Sequence, residues 1–111
     1  MEISYDDFVE IDIRVGTVSR VEPHAGARKP AFKLWIDFGP EVGERKSSAQ
    51  ITDHYAVESL LGRQVAAVVN FPPKQIGAFM SECLVLGFPD AAGRVVLIGP
   101  EQRVPDGGRL F

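Results

Sequence analysis

From Asp12 to Val21 the chain alternates residue by residue. Ile13, Val15, Thr17, Ser19 and Val21 fall on one face, and Arg14, Gly16, Val18 and Arg20 on the other. This period of two is a strand pattern, since a helix would scatter the same apolar side chains around its surface. Gly16 inside the run marks a bulge or sharp bend. The alternation returns in Ala31–Phe38, with Phe32, Leu34, Ile36 and Phe38 facing inward and Lys33, Trp35 and Asp37 outward. Glu22–Pro30, with its prolines and glycine, is a loop, and Gly39–Gly43 is a turn.

Further along, Glu44–Ile51 is a polar third strand rich in small side chains. Asp53 is placed to cap a short helix through Ala56, Val57, Leu60 and Leu61, stopped by Gly62. Gln64–Phe71 is nearly all apolar and fits a strand buried on both faces; Pro72-Pro73 ends it, because neither donates to a ladder. Met80–Leu86 and Gly93–Ile98 are further strands, and Pro105–Gly108 turns the chain back into Arg109-Leu110-Phe111. At the other end, Ser4 can cap one helical turn over Tyr5–Glu10, with Asp7 in its first turn. Three strands, a short helix and more strands suit an all-β fold. The order fits a five-stranded Greek-key barrel of the OB type with one short helix and short N- and C-terminal extensions. A β-sandwich or another α+β fold fits the pattern alone as well. The 111 residues predict one domain, 1–111, with a modest core.

Composition narrows the function. The net charge is −3, which argues against a strongly basic nucleic-acid surface. All 12 basic side chains lie beyond the acidic first twelve residues, where they meet 10 acidic ones, so a mild local basic patch is open. A single cysteine, Cys83, predicts a reducing, cytoplasmic setting and a small core side chain. The acidic N-terminus lacks the basic start of a signal peptide, and no apolar run suits membrane insertion. There is no phosphate-cradling loop and no nucleophile elbow, so neither an enzyme nor a cofactor is expected. Ser47, Ser48, Asp53 and His54 are close in sequence, but a triad is a matter of geometry; a polar strand and a helix cap explain them. His24, His54 and Cys83 show no metal-ligand spacing, and His24 is expected on a loop surface.

Three features remain as binding candidates. Trp35 lies on the outer face of the second strand, where it either meets a ligand or packs under a loop or partner. The proline-stiffened stretch Asn70–Met80 offers Phe71, Phe79 and Met80 to an apolar peptide, with Ile76 closing the barrel bottom. Arg28, Lys29, Lys33, Arg45, Lys46 and Lys74 belong near that face and either bind phosphate or keep the surface solvated. Phe8 and Ile11 at one end and Leu110 and Phe111 at the other gain most by meeting a second subunit, which predicts a homodimer.

Several blocks together carry a resemblance. Asp12-Ile13-Arg14-Val15-Gly16-Thr17, Ala27 to Leu34 and Ile36-Asp37-Phe38-Gly39 resemble the tRNA-binding-domain superfamily. Lys46 to Ile51, Val68 to Gly77 and Ser81 to Gly87 resemble its CsaA branch, the export-related chaperones. The likeness implies an OB fold whose terminal additions join two subunits, with no catalysis. It implies binding of unfolded preproteins and of the export motor SecA; the polypeptide site is expected on Trp35, Phe71, Phe79 and Met80. The wider superfamily binds tRNA through the same face, here Lys33, Arg45, Lys46, Ser48, Gln50, Lys74 and Ser81. The chain departs from the tRNA-binding pattern at Gln75, where a basic residue is usual and the lysine is shifted to Lys74. It departs again at Ser48-Ala49 and at Ser81-Glu82-Cys83-Leu84, where Glu82 adds negative charge.

Overall fold

The computed structural model describes residues 1–111. In chain order the elements are α1 (Tyr5–Val9), β1 (Ile13–Pro23), β2 (Phe32–Asp37), α2 (Gly39–Val42), β3 (Glu44–Ala49), α3 (Val57–Leu60) and β4 (Gln64–Val68). They continue as β5 (Lys74–Ile76), β6 (Phe79–Ser81), β7 (Leu84–Val85), β8 (Gly87–Pro89) and β9 (Val95–Leu97). One antiparallel sheet runs β3-β2-β1-β4-β7, and β5–β6 and β8–β9 form two hairpins. The sheet curls until β3 meets the segment after β6, where the seam closes. Glu82 N–H donates to the Lys46 carbonyl at 2.7 Å, and Lys46 N–H donates to Glu82 Oε1 at 3.1 Å. Ser48 N–H donates to Ser81 Oγ at 3.1 Å. Two edge amides of β3 are thus satisfied by side chains instead of a ladder. This nearly closed five-stranded barrel is the expected OB-type fold.

The faces of β1 differ from the sequence reading. Val18 pairs with Ile36 and Arg20 with Trp35, so Ser19 is an unpaired bulge residue. A bulge shifts the side-chain phase by one. Gly16 and Val18 therefore face the core before it and Val21 after it, while Ile13, Val15 and Thr17 are half-buried. Gly16 is not the bulge. A Cβ there would sit 2.6 Å from Ile36 Cγ2 and 2.7 Å from Phe38 Cδ1, so it is where β1 crosses the core most closely. Val15 and Ile13 pack against the C-terminal extension, through Val15 N–H to Gly108 O and Leu110 N–H to Ile13 O.

The core gathers Val18, Val21, Leu34, Ile36, Phe38, Ile51, Leu60, Val65, Ala67, Val69 and Cys83. Ser4 caps α1 as expected, its hydroxyl accepting Asp7 N–H while the Asp7 carboxylate accepts Ser4 N–H. The turn at Gly39–Gly43 closes as the single-turn helix α2, begun by Pro40. Asp53 does not cap α3. Ala56 occupies that place, and Ser59 Oγ accepts its N–H at 3.0 Å, because Thr52 to His54 forms a separate turn first. Gly62, at φ +80°, ends the helix. The expected long strand at Gln64–Phe71 stops at Val68, and Phe71 turns outward. Met80–Leu86 is divided into β6 and β7 because Glu82 and Cys83 are drawn into the seam.

Candidate ligand-binding face

On the outer side of the barrel, Lys33 and Trp35 of β2 stand opposite Ser48 and Lys46 of β3. The β5–β6 hairpin folds across this face and lays Phe79 on it. The Phe79 ring meets Trp35 edge-on at 5.7 Å and His24 at 5.5 Å. Lys33 Nζ and Lys46 Nζ stand 5.2 and 5.1 Å from its centroid, within cation–π range. Arg20 covers Trp35, with its guanidinium carbon 4.3 Å from the indole centroid. Phe79 is only 7% exposed, so it supports the face from beneath instead of offering a free ring.

His24 opens the loop after β1, as expected, but it is buried and not on the surface. Its N–H donates to the Ala31 carbonyl at 2.9 Å, so the β1–β2 pairing continues one step past Pro23. The imidazole is 5% exposed, and its Nδ1 lies 2.7 Å from Ser48 Oγ. Ser81 continues the string, accepting Ser48 N–H while its hydroxyl reaches the Cys83 carbonyl. Strand phase puts His24 on the outer face with Arg20 and Glu22, and only Phe79 and Ser48, distant in sequence, bury it. His54 sits apart from both serines and pairs with Asp90 at 2.7 Å. That hydrogen bond holds the Asp90 carboxyl below its ordinary value. Cys83 is buried, and burial pushes its thiol up to about 12, so it stays protonated and unreactive near neutral pH.

Beside Phe79 run two grooves that share Ser48, Lys74 and Ile76. One, of about 340 Å³, is walled by Phe71, Pro72, Cys83 and Leu84, with Ser81 at its base. The other, of about 400 Å³, is rimmed by Arg28, Lys29, Gln50 and Gln75. Ile76 lines both and is half-buried, so it does not close the barrel bottom. Phe71, Leu84 and Met80 are 54%, 49% and 37% exposed. Gly77, at φ +63°, lets the hairpin tip close on the β1–β2 loop, since a Cβ there would sit 2.8 Å from the Gly26 carbonyl. Lys33, Lys46, Ser48, Gln50, Lys74 and Ser81 thus share one region of the surface. Arg45 does not join them. It alternates with Lys46 along β3, and its guanidinium donates to the Val69 carbonyl at 3.2 Å.

The terminal residues gather elsewhere. Phe8, Ile11, Leu110 and Phe111 line a groove of about 220 Å³ with Tyr5 and Val9. Leu110 and Arg109 join it to an apolar groove of about 450 Å³ over Ile13, Val15 and Ile98. Asp12 anchors this corner through Arg14 Nε at 2.6 Å and Arg109 Nε at 3.7 Å. The Arg14 hydrogen bond holds the Asp12 carboxyl below its ordinary value.

A model of the tRNA binding domain matches residues 13–109. The chain belongs to the tRNA-binding domain family. Within this family it groups with the CsaA chaperones. A crystal structure of the CsaA chaperone from Bacillus anthracis is 48% identical, with TM-score 0.93 and 100% of both chains covered. The CsaA chaperone from Picrophilus torridus is 47% identical, with TM-score 0.92, over 99% of this chain and 100% of that one. The methionine–tRNA ligase of Porphyromonas gingivalis is 37% identical over 98% of this chain. The chain spans only 16% of that synthetase's length, so the likeness is to one domain of it. The family is therefore one of binding modules, found both as short chaperone chains and as a part of larger synthetases.

Proposed function

We propose that this chain is a non-catalytic, chaperone-like module that holds extended apolar segments of unfolded preproteins and works with a SecA-type export motor. The observation that carries the reading is the open apolar groove walled by Phe71, Ile76 and Leu84, next to exposed Met80. An unfolded segment gains there mainly by burying apolar surface, at roughly 25 cal/mol per Å² before the costs of association. The setting is the cytoplasm, and no helix of the chain is long and apolar enough to cross a membrane. The functional unit is a homodimer joined through the terminal groove, which sets two binding faces on one particle and raises avidity for one long client.

A second reading is a tRNA-binding protein, favoured by the family and by Arg28, Lys29 and Lys74 beside the groove. Titrating the protein with an unfolded preprotein and with tRNA, at low and moderate salt, separates the two. Binding to phosphate weakens steeply as salt rises, whereas apolar burial does not. Salt-tolerant preprotein binding supports the chaperone. Salt-sensitive tRNA binding with no affinity for the preprotein would transfer the chain to the second reading.

A further inference from the structure

The ion pairs of the molecule engage Arg14, Arg20, Arg109 and His54, none of which lines the two grooves beside Phe79. Arg28, Lys29, Lys33, Lys46 and Lys74 have no carboxylate partner, although the chain carries 15 acidic side chains against 12 basic ones. The acid nearest the seam, Glu82, is turned onto Lys46 N–H and so is held against the barrel edge. Arg45, Arg63, Arg94 and Arg103 are unpaired as well but lie off the two grooves, whose walls hold Arg28, Lys29 and Lys74 and no carboxylate. Uncompensated like charges crowded on one surface repel one another, and a ligand that brings anions relieves that repulsion.

We infer that the paired grooves select an extended polypeptide segment in which an apolar side chain is flanked by carboxylates, and that they disfavour the basic start of an export leader. The inference rests on the polypeptide reading above and deepens it. The apolar side chain enters between Phe71, Ile76 and Leu84. The carboxylates reach Lys74 on the shared wall and Arg28 and Lys29 on the rim. A polypeptide fits better than RNA because Phe71 is the one open aromatic ring of this face, whereas a run of stacked bases needs several. Phe79 is buried against Trp35 and His24, and Arg20 lies over Trp35. A secretory leader begins with basic residues before its apolar stretch, so its charge opposes this rim; acidic-apolar segments of the mature client match it.

The test uses fluorescein-labelled peptides with one Leu-Val-Phe core, flanked on both sides by aspartates or by lysines, and a labelled oligoribonucleotide. Anisotropy is read at low salt on the full chain and on an Arg28→Glu/Lys74→Glu variant. Both side chains are exposed and outside the ion pairs, so the variant keeps its fold, which circular dichroism checks. The aspartate peptide should bind roughly ten-fold more tightly than the lysine peptide, and the variant should reverse that order. Leu84→Ser should weaken both peptides alike. Equal affinity for the two peptides, or a preference that survives the double reversal, overturns the charge selection and leaves the polypeptide reading standing. Binding of the oligoribonucleotide alone, lost in the variant, overturns both.

Discussion

Phe79 and Met80 are neighbours in β6, yet one is 7% exposed and the other 37%. Strand alternation sends Phe79 down onto Trp35 and His24 and leaves Met80 facing out. Phe79→Ser should cost about 3 kcal/mol or more of stability, by the cavity it leaves, and Met80→Ser well under 1 kcal/mol. Urea unfolding of both variants checks this, and equal losses would show that Phe79 is not seated as described. Gly16 gives a second case at this scale. An alanine methyl there meets Ile36, Phe38 and the Asp37 carbonyl below 3.0 Å, and the last is backbone that cannot step aside. Gly16→Ala should destabilise by roughly 1–3 kcal/mol through overpacking. A neutral result in the same assay would mean that β1 can move away from β2 without cost.

The seam between β3 and the β6–β7 segment rests on very few bonds. Lys46 N–H and Ser48 N–H depend on the side chains of Glu82 and Ser81, which gives a short polar sequence the task of closing a barrel. Removing the Ser81 hydroxyl orphans the Ser48 amide and loosens the string that runs on to His24. A lost hydrogen bond of this kind is worth about 1 kcal/mol, or roughly five-fold in local opening. Ser81→Ala should therefore speed hydrogen exchange at the Ser48 amide by about that factor while leaving β1 and β4 amides unchanged. Exchange at Ser48 no faster than in the parent chain would show that the seam is held by other contacts.

Across the whole molecule, Asp12 ties the two ends together. Its carboxylate holds Arg14 and reaches Arg109 of the C-terminal extension, while its N–H donates to Asn70 Oδ1 and Asn70 Nδ2 donates to the Glu10 carbonyl. Because folding lowers the pKa of Asp12, its contribution is complete above the unfolded value of roughly 3.9. It is lost as the pH falls through the lower folded value. Thermal unfolding from pH 7 to pH 2 should show a decline below about pH 4 that is shallower in Asp12→Asn. Parallel curves for the two proteins would remove Asp12 from the acid response. The same corner carries the proposed dimer contact. Light scattering on a sizing column should report twice the chain mass of 12.1 kDa, and Phe8→Ser with Phe111→Ser should halve it. A parent chain that runs as a monomer at micromolar concentration rules out that contact.

The sequence by itself determined β1 to β4 and β9 to within a few residues, but not the hairpin strands β5 and β8 or the break between β6 and β7. Period two in β1 and β2, the double proline after β4 and the Ser4 cap are local matters, decided by backbone sterics and nearest neighbours. The block order pointed to the barrel and its family, and the match over residues 13–109 bears that out. Only tertiary structure decided which way the side chains of β1 face, because a bulge at Ser19 depends on how β2 pairs with it. It also took His24 out of solvent and set Arg45 apart from Lys46. The covering of Phe79 belongs to the same class. Each is settled by what an element meets across the sheet or beneath a hairpin, at sequence separations that no local pattern spans.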